Sequence, residues 1–136
     1  MPDLAIAELP MMNLLLGWSM LLLGVLSGIG MGLFFARDRW LGGYGSYPRR
    51  MLRLGHIACF GLGFLNIAFA LTLTTFSLEA GVLLTSASAG FALAAVTMPL
   101  CCFLAAWRKP FRHLFPIPVS GALAGILFIL MGGFAS

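Results

Sequence analysis

The chain has 136 residues, of which 61% are apolar and 9% charged, with eight Lys and Arg against four Asp and Glu. Soluble domains average about 25% charged residues. With a mean hydropathy of +1.04, too little polar surface remains to enclose a water-soluble core. A net charge of +4 ordinarily raises nucleic acid as a partner, but the cations are segregated along the chain in a way that points to a membrane and no nucleic acid.

A bilayer core about 30 Å thick takes about 20 apolar residues in a helix. Four stretches qualify, over residues 12–36, 54–76, 82–107 and 117–134, and none contains Asp, Glu, Lys or Arg. They are too long for strands and lack period-2 alternation, so each satisfies its backbone as a helix. The expectation is an all-α membrane protein, a single domain of four helices running up-down-up-down. Residues 37–53 and 108–116 form its basic loops. The segment before residue 12 lacks the positive start of a signal peptide, so the first helix is expected to persist.

All eight cations fall in those two loops: Arg37, Arg39, Arg49, Arg50 and Arg53 in the first, Arg108, Lys109 and Arg112 in the second. Asp3, Glu8 and Glu79 lie on the other side without any Lys or Arg. The positive-inside rule then places both loops in the cytoplasm and both termini outside, as in a bacterial-type inner membrane. Trp40, Tyr44, Tyr47 and Trp107 fall at the same interface, where amphipathic rings belong. The eight cations are expected to contact lipid headgroups, and the Gly-rich first loop to lie along them. The short connections make antiparallel neighbours of spans two and three, and of three and four.

Lipid offers no hydrophobic drive for helix association, so small residues and polar contacts carry it. Gly24, Gly28 and Gly32 in span one are spaced as a GxxxG ridge, as are Gly121 and Gly125 in span four; Gly90 sits in a small-residue stripe of span three. Span two repeats His56, Cys59, Gly63, Asn66 and Ala70 on one face. Counted from residue 54, Asn66 lies near the midplane, and a helix-packing hydrogen bond is its expected role. Pro99 in span three removes a backbone donor and predicts a kink.

Chemistry has few candidates. His56 lies one turn inside the basic boundary, and His113 falls in the second basic loop. Two imidazoles on one side are compatible with b-haem, and His56 with Arg53 one turn before it is compatible with a quinone head. No CxxC or CxxCH occurs, and the three cysteines read as small packing residues rather than redox pairs. No span carries a carboxylate for proton-coupled export, no phosphate loop is present, and no Ser, His and acid arrangement supports nucleophilic catalysis.

These residues predict a non-enzymatic four-helix subunit or accessory protein of a larger inner-membrane complex, acting by helix packing and lipid contact with other transmembrane subunits. The alternative is an electron-transfer module that binds b-haem or quinone through His56 and His113. A small channel or transporter, with a water path past Asn66, Thr74 and Thr97, is the third reading.

Overall fold

The computed structural model describes residues 2–79 and 81–133, with side chains from Glu8 onward. It has four long helices, α1 (Pro2–Phe35), α2 (Tyr47–Thr75), α3 (Val82–Trp107) and α4 (Pro116–Gly133), with no strand among the described residues. All four are long and apolar enough to cross a membrane. Short 3-10 segments over Trp40–Gly42 and Lys109–Leu114 fill the two basic connections.

Hydropathy locates the third helix to the residue, but two helices begin earlier than it indicates. Helix α2 starts at Tyr47 rather than 54, because Ser46 caps it by accepting from the Arg49 N–H and Pro48 suits its first turn. Arg49, Arg50 and Arg53 are therefore helical residues and not loop residues. Helix α1 likewise extends back to Pro2, with Pro10 inside it. Apolar length measures the membrane, whereas a helix continues until its caps or turn residues stop it.

The first connection turns back on itself. Leu41, Gly42 and Gly43 all have positive φ, which two glycines allow at little cost. The turn sets Trp40 against Phe34 of α1, their rings stacked at 5.4 Å. Lys109 lies over the Tyr47 ring at 5.7 Å, so both basic segments meet at one end of the molecule.

Each helix packs antiparallel on its sequence neighbours. Gly17 faces Gly63 and Gly28 faces His56 across α1 and α2. Gly55 faces Cys102 and Phe103 across α2 and α3, and Gly90 faces Gly121 across α3 and α4. Among the described residues, helix α1 touches α3 only lightly and makes no substantial contact with α4. The result is an open row rather than a closed ring. Its apolar centre is Phe69, Leu73, Leu84, Ala87 and Phe91, with Phe69 and Phe91 edge-to-face at 5.1 Å.

Candidate functional site

Two polar constellations stand out, one inside the row and one at its basic end. Inside, the Asn13 amide donates to Asn66 Oδ1 at 2.8 Å, and the Ser88 hydroxyl donates to Asn13 Oδ1 at 2.5 Å. Asn66 Nδ2 then reaches the Leu62 carbonyl of its own helix at 2.9 Å and the Phe91 carbonyl of α3 at 3.2 Å. All three side chains are buried, with Asn13 and Asn66 at 0% exposure. A buried amide must find partners, and here every side-chain nitrogen and oxygen has one. The triad joins α1, α2 and α3, which is the packing role expected of Asn66. Because α2 starts at Tyr47, Asn66 lies about 8 Å past the helix middle at 1.5 Å per residue, away from the basic end.

Asn13 and Ser88 were legible as polar residues within apolar runs, but the pairing of Asn13 with Asn66 and of Ser88 with Asn13 was not. Helix rotation decides which faces meet.

The basic end is built around Arg49 and His56. Arg49, on the first turn of α2, is 5% exposed. One of its amino nitrogens donates to the Arg37 carbonyl, its guanidinium lies 5.1 Å over the Trp40 ring, and its buried Nε has no partner. One turn on, Arg53 covers the Tyr44 ring at 4.3 Å and donates to the Tyr44 carbonyl at 3.3 Å.

His56 Nδ1 lies 2.9 Å from the Gly24 carbonyl and 3.1 Å from Ser27 Oγ, while the Ser27 hydroxyl donates to the same carbonyl at 2.8 Å. A carbonyl oxygen only accepts, so Nδ1 carries a proton directed at α1. The imidazole also packs edge-to-face on Phe60 at 5.1 Å. A Cβ on Gly28 would come within 2.7 Å of its ring. Its fixed pose is thus a helix-packing arrangement in its own right.

These side chains enclose a pocket of about 200 Å³, lined by Arg49, Arg53 and His56 on α2, Trp40 and Tyr44 on the connection, and the α1 segment from Gly28 to Phe35. His113 does not line it: this exposed residue lies on the second 3-10 segment, which packs on α3 and α4. Of the two histidines only His56 lines this pocket, so the structure does not bring them into one pocket. No group of three His, Cys, Asp or Glu suited to a metal occurs among the described residues. Cys59, Cys101 and Cys102 are buried free thiols.

The remaining sequence candidates divide by contact. Gly24 receives the Phe60 ring, Gly28 the His56 ring and Gly125 the Phe91 ring, while Gly63 meets Gly17 and Gly90 meets Gly121. Gly32 is exposed, and a Cβ there would meet nothing within 4 Å, so it packs against no helix of this chain. Gly17 was missed, although a Cβ at that position would fall 2.7 Å from the Gly63 carbonyl.

Among the cations, Arg37, Arg39, Arg50, Arg108, Lys109 and Arg112 are exposed, as headgroup contact requires. Arg37 covers Phe34 and Arg108 covers Trp107. Arg49 and Arg53 are the exceptions: the folded connection buries Arg49, and Arg53 is half-buried against Tyr44.

No family model, curated protein or solved structure matches the chain.

Proposed function

We propose that this protein is a non-catalytic, membrane-embedded packing subunit of a larger assembly in a bacterial-type inner membrane. Its basic end faces the cytoplasm. The observation that carries the reading is a groove between α2 and α4, floored by Met98 of α3. Ala58, Gly61 and Ala122 line it with Ile57 and Val119, and it holds about 370 Å³. A Cβ on Gly61 would meet nothing within 4 Å.

Small residues on a membrane helix permit close backbone approach, which lipid chains do not require but a neighbouring helix does. The occupant this surface suits is a transmembrane helix of another subunit. The open row supports the same reading, since α1 and α4 do not close on each other. The spans also hold no charged side chain between the N-terminal part of α1, which ends its acidic residues at Glu8, and the first turns of α2, nor any in α3 or α4. The Asn13–Asn66–Ser88 triad has its hydrogen bonds satisfied. Little in them is disposed for catalysis.

The test is purification from the native host in mild detergent, comparing the wild type with Gly61→Leu. The expected result is a discrete co-purifying membrane protein that Gly61→Leu releases while the thermal unfolding of the chain itself is unchanged. A wild-type chain that purifies as a solitary, stable monomer overturns the proposal.

A further inference from the structure

The pocket at the basic end has a composition that helix packing does not account for. Arg49, Arg53 and His56 converge on it, and no carboxylate pairs with either arginine among the described residues. Arg49 is nine-tenths buried and lines the pocket with its Nε unpartnered. A charge removed from water without a counter-ion is costly. The site also lies beside the N-terminal end of the 29-residue α2, where the helix dipole adds partial positive charge. Arg49, Arg50 and Arg53 in its first two turns oppose the dipole, and a bound anion would relieve both.

The opposite wall is apolar. Met31 and Phe35 of α1 line it, and Gly32, where a Cβ would meet nothing within 4 Å, leaves a shallow trough on the helix. About 200 Å³ equals roughly six or seven water volumes, enough for a phosphate and its glycerol but not for acyl chains. The chains would leave along the open trough at Gly32.

We infer that this pocket binds the phosphate diester headgroup of an anionic phospholipid, with Arg49 and Arg53 facing the phosphate and an acyl chain lying against Gly32 and Phe35. A zwitterionic choline lipid is disfavoured. Caging a quaternary ammonium takes free aromatic faces, and Arg49 and Arg53 already cover Trp40 and Tyr44. The inference does not depend on a partner subunit, because every wall of the pocket belongs to this chain.

The test uses the full-length protein in mild detergent, incubated with mixed micelles of phosphatidylglycerol and phosphatidylcholine. Native mass spectrometry identifies what each chain retains, and a visible spectrum is recorded on the same sample. The expected result is retained phosphatidylglycerol in preference to phosphatidylcholine. Arg53→Gln lowers retention roughly tenfold, the scale of one charge-assisted hydrogen bond. Arg50→Gln, an exposed change of equal charge, leaves retention intact. Gly32→Leu fills the trough and lowers retention without shifting thermal unfolding.

Arg49→Gln is expected to abolish retention, but Arg49 also ties down the first connection, so Arg53→Gln and Gly32→Leu decide the matter. Equal loss in Arg53→Gln and Arg50→Gln overturns the inference, because it shows diffuse charge attraction only. Equal retention of the two lipids, or a bound quinone or haem in place of phospholipid, also overturns it. Displacement of bound lipid by excess inorganic phosphate, with no effect of Gly32→Leu, assigns the pocket to a soluble phosphate compound and overturns the lipid.

Discussion

Asn66 ties three helices together through one side chain, and its removal has a calculable consequence. Replacing it with Leu leaves the Asn13 amide without its partner in an apolar interior, and takes a second donor from the Phe91 carbonyl, which keeps its helical N–H. Stranded buried polar groups cost about 1–3 kcal/mol each in water, and interhelical hydrogen bonds in membranes are worth about 0.6–2 kcal/mol. Asn66→Leu is therefore expected to destabilise the protein by roughly 1–3 kcal/mol in a denaturing-detergent titration. The Asn13→Leu/Asn66→Leu double variant should recover part of that loss. Ser88 can turn its hydroxyl back to a carbonyl of its own helix, so no polar side chain stays stranded. Additive losses in the double variant would contradict the coupling. The need for a partner was readable from the sequence, since an amide in an apolar run must find one. Which residue supplies it was not, because Asn13 and Ser88 are 53 and 75 positions apart from their partners along the chain.

Among the helices, the glycines separate into those that set an interhelical distance and those that do not. Gly17 and Gly63 face each other across α1 and α2, and Gly90 and Gly121 across α3 and α4. A Cβ on Gly17 would fall 2.5 Å from Ile67 Cγ1, and one on Gly90 would fall 2.6 Å from the Gly121 carbonyl. Gly17→Ala and Gly90→Ala should each lower thermal stability, with overpacking costs of about 1–3 kcal/mol. Gly30 has open space around it, so Gly30→Ala should leave stability equal or slightly higher, as helix propensity favours Ala over Gly. A thermal-shift series across the three variants checks the ranking. GxxxG spacing alone would have placed Gly32 with Gly24 and Gly28. At Gly32 the pocket between α1 and the start of α2 opens, so the same spacing meets no packed neighbour one turn later.

For the whole molecule, the charge asymmetry is the dominant feature. The basic side carries eight cations less Asp38, +7, against −3 from Asp3, Glu8 and Glu79. Both basic segments meet at one end, where Lys109 lies over Tyr47. Under the positive-inside rule, Lys109→Cys should resist a membrane-impermeant maleimide in intact spheroplasts and react once they are lysed, with buried Cys59, Cys101 and Cys102 as the unreactive background. Labelling in intact cells would reverse the proposed orientation.

The sequence by itself determined the class, the number of spans and the clustering of cations, because these follow from one-dimensional quantities: apolar length against bilayer thickness, and charge position against span boundaries. It also marked His56, Asn66 and most of the packing glycines as residues set apart from their surroundings. Only the tertiary structure decided what they face. Helix rotation and crossing paired Asn13 with Asn66, turned the His56 proton toward Gly24, and left His113 outside its pocket. The fold of the first connection, turning at Leu41 to Gly43, buried Arg49 under Trp40 and converted part of a basic loop into a lined pocket. Such contacts depend on where two surfaces meet in three dimensions, and linear spacing along either one does not contain that information.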